Sequence, residues 1–264
     1  MRVSSGGETG REKLLSMIVK EVHAKSILSR SGIERVSYTI NPYTGCSHGC
    51  LYCYATFMKK YTGHAEVWGA FVDVKVNAAQ LLRRQLPRSA KGNIIVSSVT
   101  DPYQRIEARF GLTRACLTVL RDYDFPVEVL TKSPLVLRDA DLMADFPDLE
   151  VGLTITTDDD RISRIFEPGA PPVRARIQAL RKLHEKGLRT FVFIGPALPM
   201  RPEVLADMVG PYAHRVMIDR MNYPFKTRSV YKAHGLTRWL DAAHVGEVIE
   251  ALERRLAHLA VEVC

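Results

Sequence analysis

The stretch Asn41-Pro42-Tyr43-Thr44-Gly45-Cys46-Ser47-His48-Gly49-Cys50-Leu51-Tyr52-Cys53-Tyr54-Ala55 places three of the chain's five cysteines within eight residues. The spacing is C-x3-C-x2-C. Thiolates are soft ligands that select zinc, Cu(I) or iron–sulfur clusters. A structural zinc site takes four protein ligands, usually as two short pairs. This loop offers three, and only Cys116 and Cys264 remain elsewhere. His48 or His64 can complete a zinc set. Three thiolates on a [4Fe–4S] cluster instead leave one iron open to a non-protein ligand. Gly45 and Gly49 let the backbone wrap closely around such a group. The odd cysteine count argues against a disulfide framework.

Outward from the loop, the chain alternates strand-like and helix-like pieces. Strands are expected at Val36–Ile40, Asn93–Ser98, Val127–Thr131, Glu150–Thr156, Thr190–Ile194 and Arg215–Asp219. They are short and apolar or β-branched, as buried parallel strands are. Helices are expected at Ala78–Leu86, Thr113–Tyr123, Leu135–Ala144, Pro172–Lys186 and Pro202–Gly210. Thr113 and Asp139 suit N-cap or first-turn positions, Pro172 and Pro202 a first turn, and Gly187 a C-cap. Val67–Val76 is apolar and alternating but has no assigned place. Leu14–Ile27 can form a short amphipathic helix. Six βα units imply an α/β fold with a parallel sheet covered by helices. No G-x-G-x-x-G follows the first strand, which removes the main support for a dinucleotide fold. Six units are two short of a full eight-stranded barrel, so a partial (β/α)6 TIM-type barrel fits the count. The site then lies at the strands' C-terminal ends, where Thr100-Asp101, Lys132-Ser133 and Thr154-Ile155-Thr156 stand.

The cysteine spacing, with an aromatic before the last cysteine and after the first strand of such a barrel, resembles the radical S-adenosylmethionine (SAM) superfamily. The phrase from Tyr38 to Ala55 resembles its spore photoproduct lyase-like branch. So do Val99-Thr-Asp-Pro-Tyr-Gln, Thr131-Lys-Ser, and Thr154-Ile-Thr-Thr with Glu167-Pro168 downstream. The resemblance spans residues 20–200. It implies that Cys46, Cys50 and Cys53 ligate a [4Fe–4S] cluster whose open iron is chelated by SAM. One electron, from a donor such as flavodoxin or ferredoxin, then cleaves SAM to methionine and a 5′-deoxyadenosyl radical that takes hydrogen from a substrate. It places Tyr52 near the adenine and Thr100 and Asp101 at the methionyl amino end. Lys132 faces the SAM carboxylate, with Ser133 in the same region, and Thr154 lies near the ribose. Tyr54 matches a family tyrosine associated with radical transfer; packing against a helix is its plainer reading.

The match departs at Ser98. Spore photoproduct lyase carries a hydrogen-donating cysteine at that spacing, and a serine O–H bond is too strong to replace a thiol. Repair of thymine photodimers is therefore not implied. Cys264 on a mobile tail is an alternative donor or simply a terminal residue, and Cys116 reads as buried filler. Residues 220–240 hold Arg220, Lys226, Arg228, Lys232 and Arg238 with no acid, interleaved with Tyr223, Phe225, Tyr231 and Trp239. That pattern suits base stacking with phosphate contacts, or a lid with a basic rim. The basic helix at Arg174–Arg189 reads as a solvated face.

Composition sets the outer bounds. The 264 residues are 46% hydrophobic and 25% charged, which excludes disorder and a disulfide mini-scaffold. No apolar run nears the ~20 residues of a membrane helix, and the start lacks an apolar signal segment. The expectation is a cytoplasmic, oxygen-sensitive enzyme without membrane contact. The net charge of +8 favours an anionic partner. The substrate classes left open are a nucleic acid or nucleotide-like anion, and a small metabolite or peptide. A non-catalytic zinc module is the alternative outside enzymes. Residues 1–35 are read as an N-terminal arm, 36–222 as the radical SAM core and 223–264 as an extension over the barrel edge.

Overall fold

The computed structural model describes residues 17–264. Its strands are β1 (Ile18–Val22), β2 (Leu28–Arg30), β3 (Tyr38–Ile40), β4 (Tyr43–Thr44), β5 (Phe71–Lys75), β6 (Ile94–Val96), β7 (Val127–Thr131), β8 (Leu149–Thr154), β9 (Arg189–Ile194), β10 (Arg215–Ile218) and β11 (Ala260–Val263). The helices are α1 (Ala78–Gln85), α2 (Glu107–Phe110), α3 (Leu112–Arg121), α4 (Ala140–Ala144), α5 (Asp160–Phe166), α6 (Val173–Glu185), α7 (Pro202–Val209), α8 (Pro224–Ala233) and α9 (Ala242–Arg255). A 3-10 segment, Tyr54–Tyr61, follows the last loop cysteine.

Eight strands form one sheet in the order β11-β10-β9-β8-β7-β6-β3-β2. β3 and β6 to β10 are the six parallel strands anticipated from the sequence, and β11 adds a seventh on the edge of β10. β2 caps the other edge antiparallel to β3. Helices return the chain from one strand to the next, so the strands' C-terminal ends all open on one side.

The sheet is curled. Arg215 Nη2 on β10 reaches Glu128 Oε2 on β7 at 2.8 Å and Glu150 Oε2 on β8 at 2.7 Å. On a flat sheet three strand spacings span roughly 14 Å, so these bonds require a concave face. Arg35, in the turn after β2, lies 3.6 Å from Glu262 on β11, which brings the two edges toward each other. Gly152 permits the curl's tight interior, because a Cβ there would sit 2.3 Å from the buried Phe191 ring. The result is a partial barrel with its floor filled by Phe191 and the arginine–glutamate set, and with the apolar core between sheet and helices.

Several expectations change. Residues 18–22 are a strand rather than part of a helix, paired in parallel with β5 over Ile18↔Phe71 to Val22↔Lys75. Their β-branched side chains suit that pairing. Residues 14–16 lie outside the described residues. β5 is also the place of the unassigned Val67–Val76 stretch, and β4 completes the small sheet β1-β5-β4. The described part of the expected N-terminal arm is therefore tied into both sheets, with Ile27 and Leu28 in the main core. Thr113 does stand in the first turn of α3, as expected, where it gives its hydroxyl to Pro102 O. Asp139 occupies the N-cap position of α4, but its carboxylate is engaged by Arg114, Arg138 and Tyr103. Beyond β10, α9 packs against α7 through Val248, Ile249 and Leu252 before β11 joins the sheet edge.

Candidate active site

A cavity of about 220 Å³ opens at the C-terminal ends of the strands. Cys46, Cys50 and Cys53 line one wall with His48, Tyr52 and Tyr54. Ser97 to Asp101 after β6, Lys132 after β7, Thr154 on β8, Pro196 after β9 and Asp219 to Tyr223 after β10 supply the rest. Nine of the ten residues named from the sequence meet there. The exception is Ser133, whose hydroxyl accepts from Leu135 N and caps the turn behind Lys132.

The cysteine loop is gripped from outside. Gly45 has φ +90°, and a Cβ there would meet Phe71 O at 2.4 Å, so only glycine lets β5 lie against the loop. The buried Gln104 amide brackets Cys46: its Oε1 accepts from Ser47 N at 2.8 Å and its Nε2 donates to Gly45 O at 3.2 Å. Thr100 Oγ1 donates to the same carbonyl at 2.6 Å. Farther along, Leu51 N donates to Phe166 O and Gly169 N to His48 O, both at 2.9 Å. Lys226 of α8 donates to Cys53 O at 2.6 Å and to Thr56 Oγ1 at 2.9 Å. The three thiols are thus presented to one cavity by a fixed backbone. Cys116 is buried in α3, and Cys264 is exposed with its N–H bonded to Ile218 O; neither lines the cavity. Cys264 is held at the end of β11 rather than on a free tail. Burial pushes all three loop thiols up, Cys50 to about 12, so they favour the neutral form until an electropositive group draws out the thiolates. Among the described residues, no three His, Cys, Asp or Glu side chains converge on one point as a single metal ion requires. Three thiols sharing a roomy cavity fit a cluster that offers each a separate iron.

Asp101 is a staple. Its Oδ1 accepts from Tyr103 N at 2.9 Å and Thr131 Oγ1 at 2.6 Å, and its Oδ2 from Lys132 N at 2.8 Å. His48 Nδ1 stands 3.4 Å from Oδ2; burial lowers the His48 pKa, with Asp101 opposing. Lys132 is nearly buried, with 14% of its side chain exposed, and its ammonium makes no hydrogen bond among the described residues. It lies 3.7 Å from Glu167 Oε1 and 5.7 Å from the Tyr52 ring centroid. Three N–H donors are therefore left for an anionic group in the cavity.

Beneath Lys132 sits a buried ion pair that the sequence reading did not assign. Arg176 of α6 lies 2.5 Å from Glu167 Oε2, and both side chains are fully buried. Tyr52 donates its hydroxyl to Glu167 Oε1; Thr156 and Ser163 donate at 3.2 and 2.9 Å. Burial raises the Glu167 carboxyl, but Arg176 and Lys132 outweigh it and hold it at about 2. The basic α6 is not wholly a solvated face: Arg176 falls three residues after Val173 and four before Leu180, on the helix's buried stripe. That register was the available signal. Gln104 and Glu167 were visible only as letters within longer motifs.

The cavity mouth is aromatic and basic. Tyr54, Phe57, Tyr223 and Phe225 are exposed, with Tyr54–Phe57 and Tyr223–Phe225 ring centroids 6.3 and 6.0 Å apart. Tyr54 donates its hydroxyl to Ser98 O. Lys226 lies 5.1 Å from the Tyr223 ring. Tyr231 is buried against Phe166, and Trp239 packs at the edge of the same cluster. The 220–240 segment is therefore both a packed lid and a basic, aromatic rim.

Three cysteines and a free ammonium thus gather around one cavity at the ends of the parallel strands. The chain belongs to the Radical SAM superfamily, whose model matches residues 40–208. It is an enzyme of that superfamily, which uses a [4Fe–4S] cluster and SAM. An uncharacterized protein of Methanocaldococcus jannaschii is 40% identical over 181 residues, 68% of this chain and 67% of that one. One of Mycobacterium tuberculosis is 32% identical over 240 residues, 83% of this chain and 69% of that one. A double mutant of spore photoproduct lyase with bound AdoMet and dinucleoside spore photoproduct shares the fold, with TM-score 0.65, 16% identity and coverage of 99% of this chain and 87% of that one. Among the described residues, no helix is long and apolar enough to cross a membrane.

Proposed function

We propose that this enzyme reductively cleaves SAM and uses the 5′-deoxyadenosyl radical to abstract hydrogen from a nucleic acid or nucleotide-like anion in the cytoplasm. The observation that carries the reading is the convergence of three loop thiols and the unpartnered Lys132 ammonium on one cavity. When bound, the cluster supplies the electron, received from a flavodoxin- or ferredoxin-type donor, that splits SAM into methionine and the radical. Cys46, Cys50 and Cys53 hold the cluster. Lys132 receives the SAM carboxylate as a point-charge donor. Tyr52 and Thr154 border the adenosyl moiety, and the Thr100–Asp101 turn borders the methionyl amino end. Asp101 acts there through its hold on the Lys132 backbone, and Ser133 by capping the following turn. Tyr54, hydrogen-bonded to Ser98 O at the mouth, stands between the SAM side and the rim, where it meets substrate.

The substrate class rests on the rim. Exposed rings at stacking distances, with the exposed Arg220 and Arg228 in the same segment, suit bases and phosphates. Ser98 provides no thiol hydrogen, so thymine photodimer repair is not part of the proposal.

The test is anaerobic purification with counts of iron and sulfide, then dithionite and SAM. About four irons per chain and 5′-deoxyadenosine release, both lost in Cys50→Ala, support the reading. Stoichiometric zinc without SAM cleavage overturns it. Oligonucleotides that raise 5′-deoxyadenosine release, with binding that weakens as salt rises, support the substrate class; no oligonucleotide binding at low salt removes it.

A further inference from the structure

Resting on the assignment of Lys132 to the SAM carboxylate, we propose that Glu167 is the positioning residue that aims Lys132 and Tyr52, and that Arg176 keeps it from capturing Lys132. Glu167 touches no part of the cavity, yet two cavity-lining side chains depend on it. Its Oε1 takes the Tyr52 hydroxyl and faces the Lys132 ammonium at 3.7 Å. Its Oε2 is filled by Arg176 at 2.5 Å and Ser163 at 2.9 Å.

The distances divide the labour. At 3.7 Å Lys132 is attracted to Glu167 but lies beyond a hydrogen bond. Its charge is compensated while its N–H groups stay free. Without Arg176 the carboxylate would keep only the hydroxyls of Tyr52, Thr156 and Ser163, and with no other buried cation beside it among the described residues would draw the flexible lysine down from the cavity. With Arg176 in place, Glu167 holds Lys132 at the cavity wall without consuming it. A buried arginine–glutamate pair is weak evidence for stability, because desolvation offsets the attraction. Its position directly under the ligand-facing ammonium gives it a reason to be there. Tyr52, fixed by the same oxygen, keeps its ring beside Lys132 and one residue from Cys53.

The test separates positioning from general damage by comparing two ligands. SAM carries the methionyl carboxylate; 5′-deoxyadenosine does not. Both affinities are measured by equilibrium dialysis on the reconstituted holoprotein, for wild type, Glu167→Gln, Lys132→Gln and the double variant. Glu167→Gln and Lys132→Gln should each weaken SAM about tenfold and leave 5′-deoxyadenosine within about twofold. The double variant should be no worse than Lys132→Gln, since both changes act on one contact. Glu167→Gln leaves a buried guanidinium unpaired and can fail to fold. The neutral pair Glu167→Gln/Arg176→Met then carries the test with the same expectation. Equal loss of both ligands, or additive losses in Glu167→Gln/Lys132→Gln, overturns the proposal. A wild type with iron that binds no SAM overturns the underlying function instead.

Discussion

Replacing Asp101 by asparagine keeps the size of the side chain and removes one acceptor atom. The two carboxylate oxygens serve two different backbone donors, Tyr103 N at 2.9 Å and Lys132 N at 2.8 Å. An amide has one oxygen. Whichever way it is turned, its NH2 faces a backbone N–H. One bond to a charged acceptor is lost, which costs about 1.5–3 kcal/mol, and a nearly buried donor is left unpaired. The two descriptions overlap, so we take about 3 kcal/mol for the whole change. For a chain of this size each kcal/mol lowers the melting temperature by roughly 2–4 °C, so the fall should be about 9 °C. The assay is thermal melting of the metal-free protein by circular dichroism, which separates the staple from any effect on a cluster. Asp101→Ala should fall at least as far, because it leaves both backbone N–H groups and the Thr131 hydroxyl without their acceptor. A fall below about 2 °C for Asp101→Asn would refute the reasoning that the carboxylate is spent on the backbone.

His64 sits between Glu66 Oε2 at 3.0 Å and Asp73 Oδ1 at 2.9 Å; burial opposes its protonation, but these carboxylates win and raise its pKa. The stabilisation is therefore fully present below the unfolded value near 6.5 and lost as pH rises through the higher folded value. The gap in melting temperature between wild type and His64→Gln should be wider at about pH 5.5 than at about pH 9, and a pH-independent gap would contradict the pairing. Gly152→Ala puts a Cβ into the Phe191 ring; overpacking of this kind costs about 1–3 kcal/mol, and an unchanged urea midpoint would show that the curled floor has room. Arg228→Glu/Lys232→Glu on the exposed face of α8 should weaken oligonucleotide binding and lower the slope of log K against log salt by about 0.7 for each phosphate no longer neutralised; an unchanged slope would move the nucleic-acid interface elsewhere.

The reach of the sequence can be judged residue by residue. The six parallel strands were legible because each is a short apolar run bounded by turn signals. The site's location followed, since parallel strands all end on one side. Strand β1 was hidden because its partner, β5, lies about fifty residues away and leaves no local mark; five residues rich in β-branching cannot be told from half of an amphipathic helix. Arg176 was hidden by its charged neighbours Arg174, Arg181 and Lys182, although its helical register gives it away. Asp101 and Thr100 were legible as site residues, but not their bonds. Those depend on Thr131, Lys132, Gly45 and Gln104 arriving from three different connections.

The grips on the cysteine loop also say when the site is finished. Gln104, Phe166, Gly169 and Lys226 hold it, and Lys226 lies 173 residues beyond Cys53. During synthesis the cysteines leave the ribosome well before α8, which carries their last fastening. At ~5–20 residues per second, the loop waits on the order of ten seconds before the Lys226 bond can form. Whatever inserts iron must either attend that interval or act on a chain already folded around the opening.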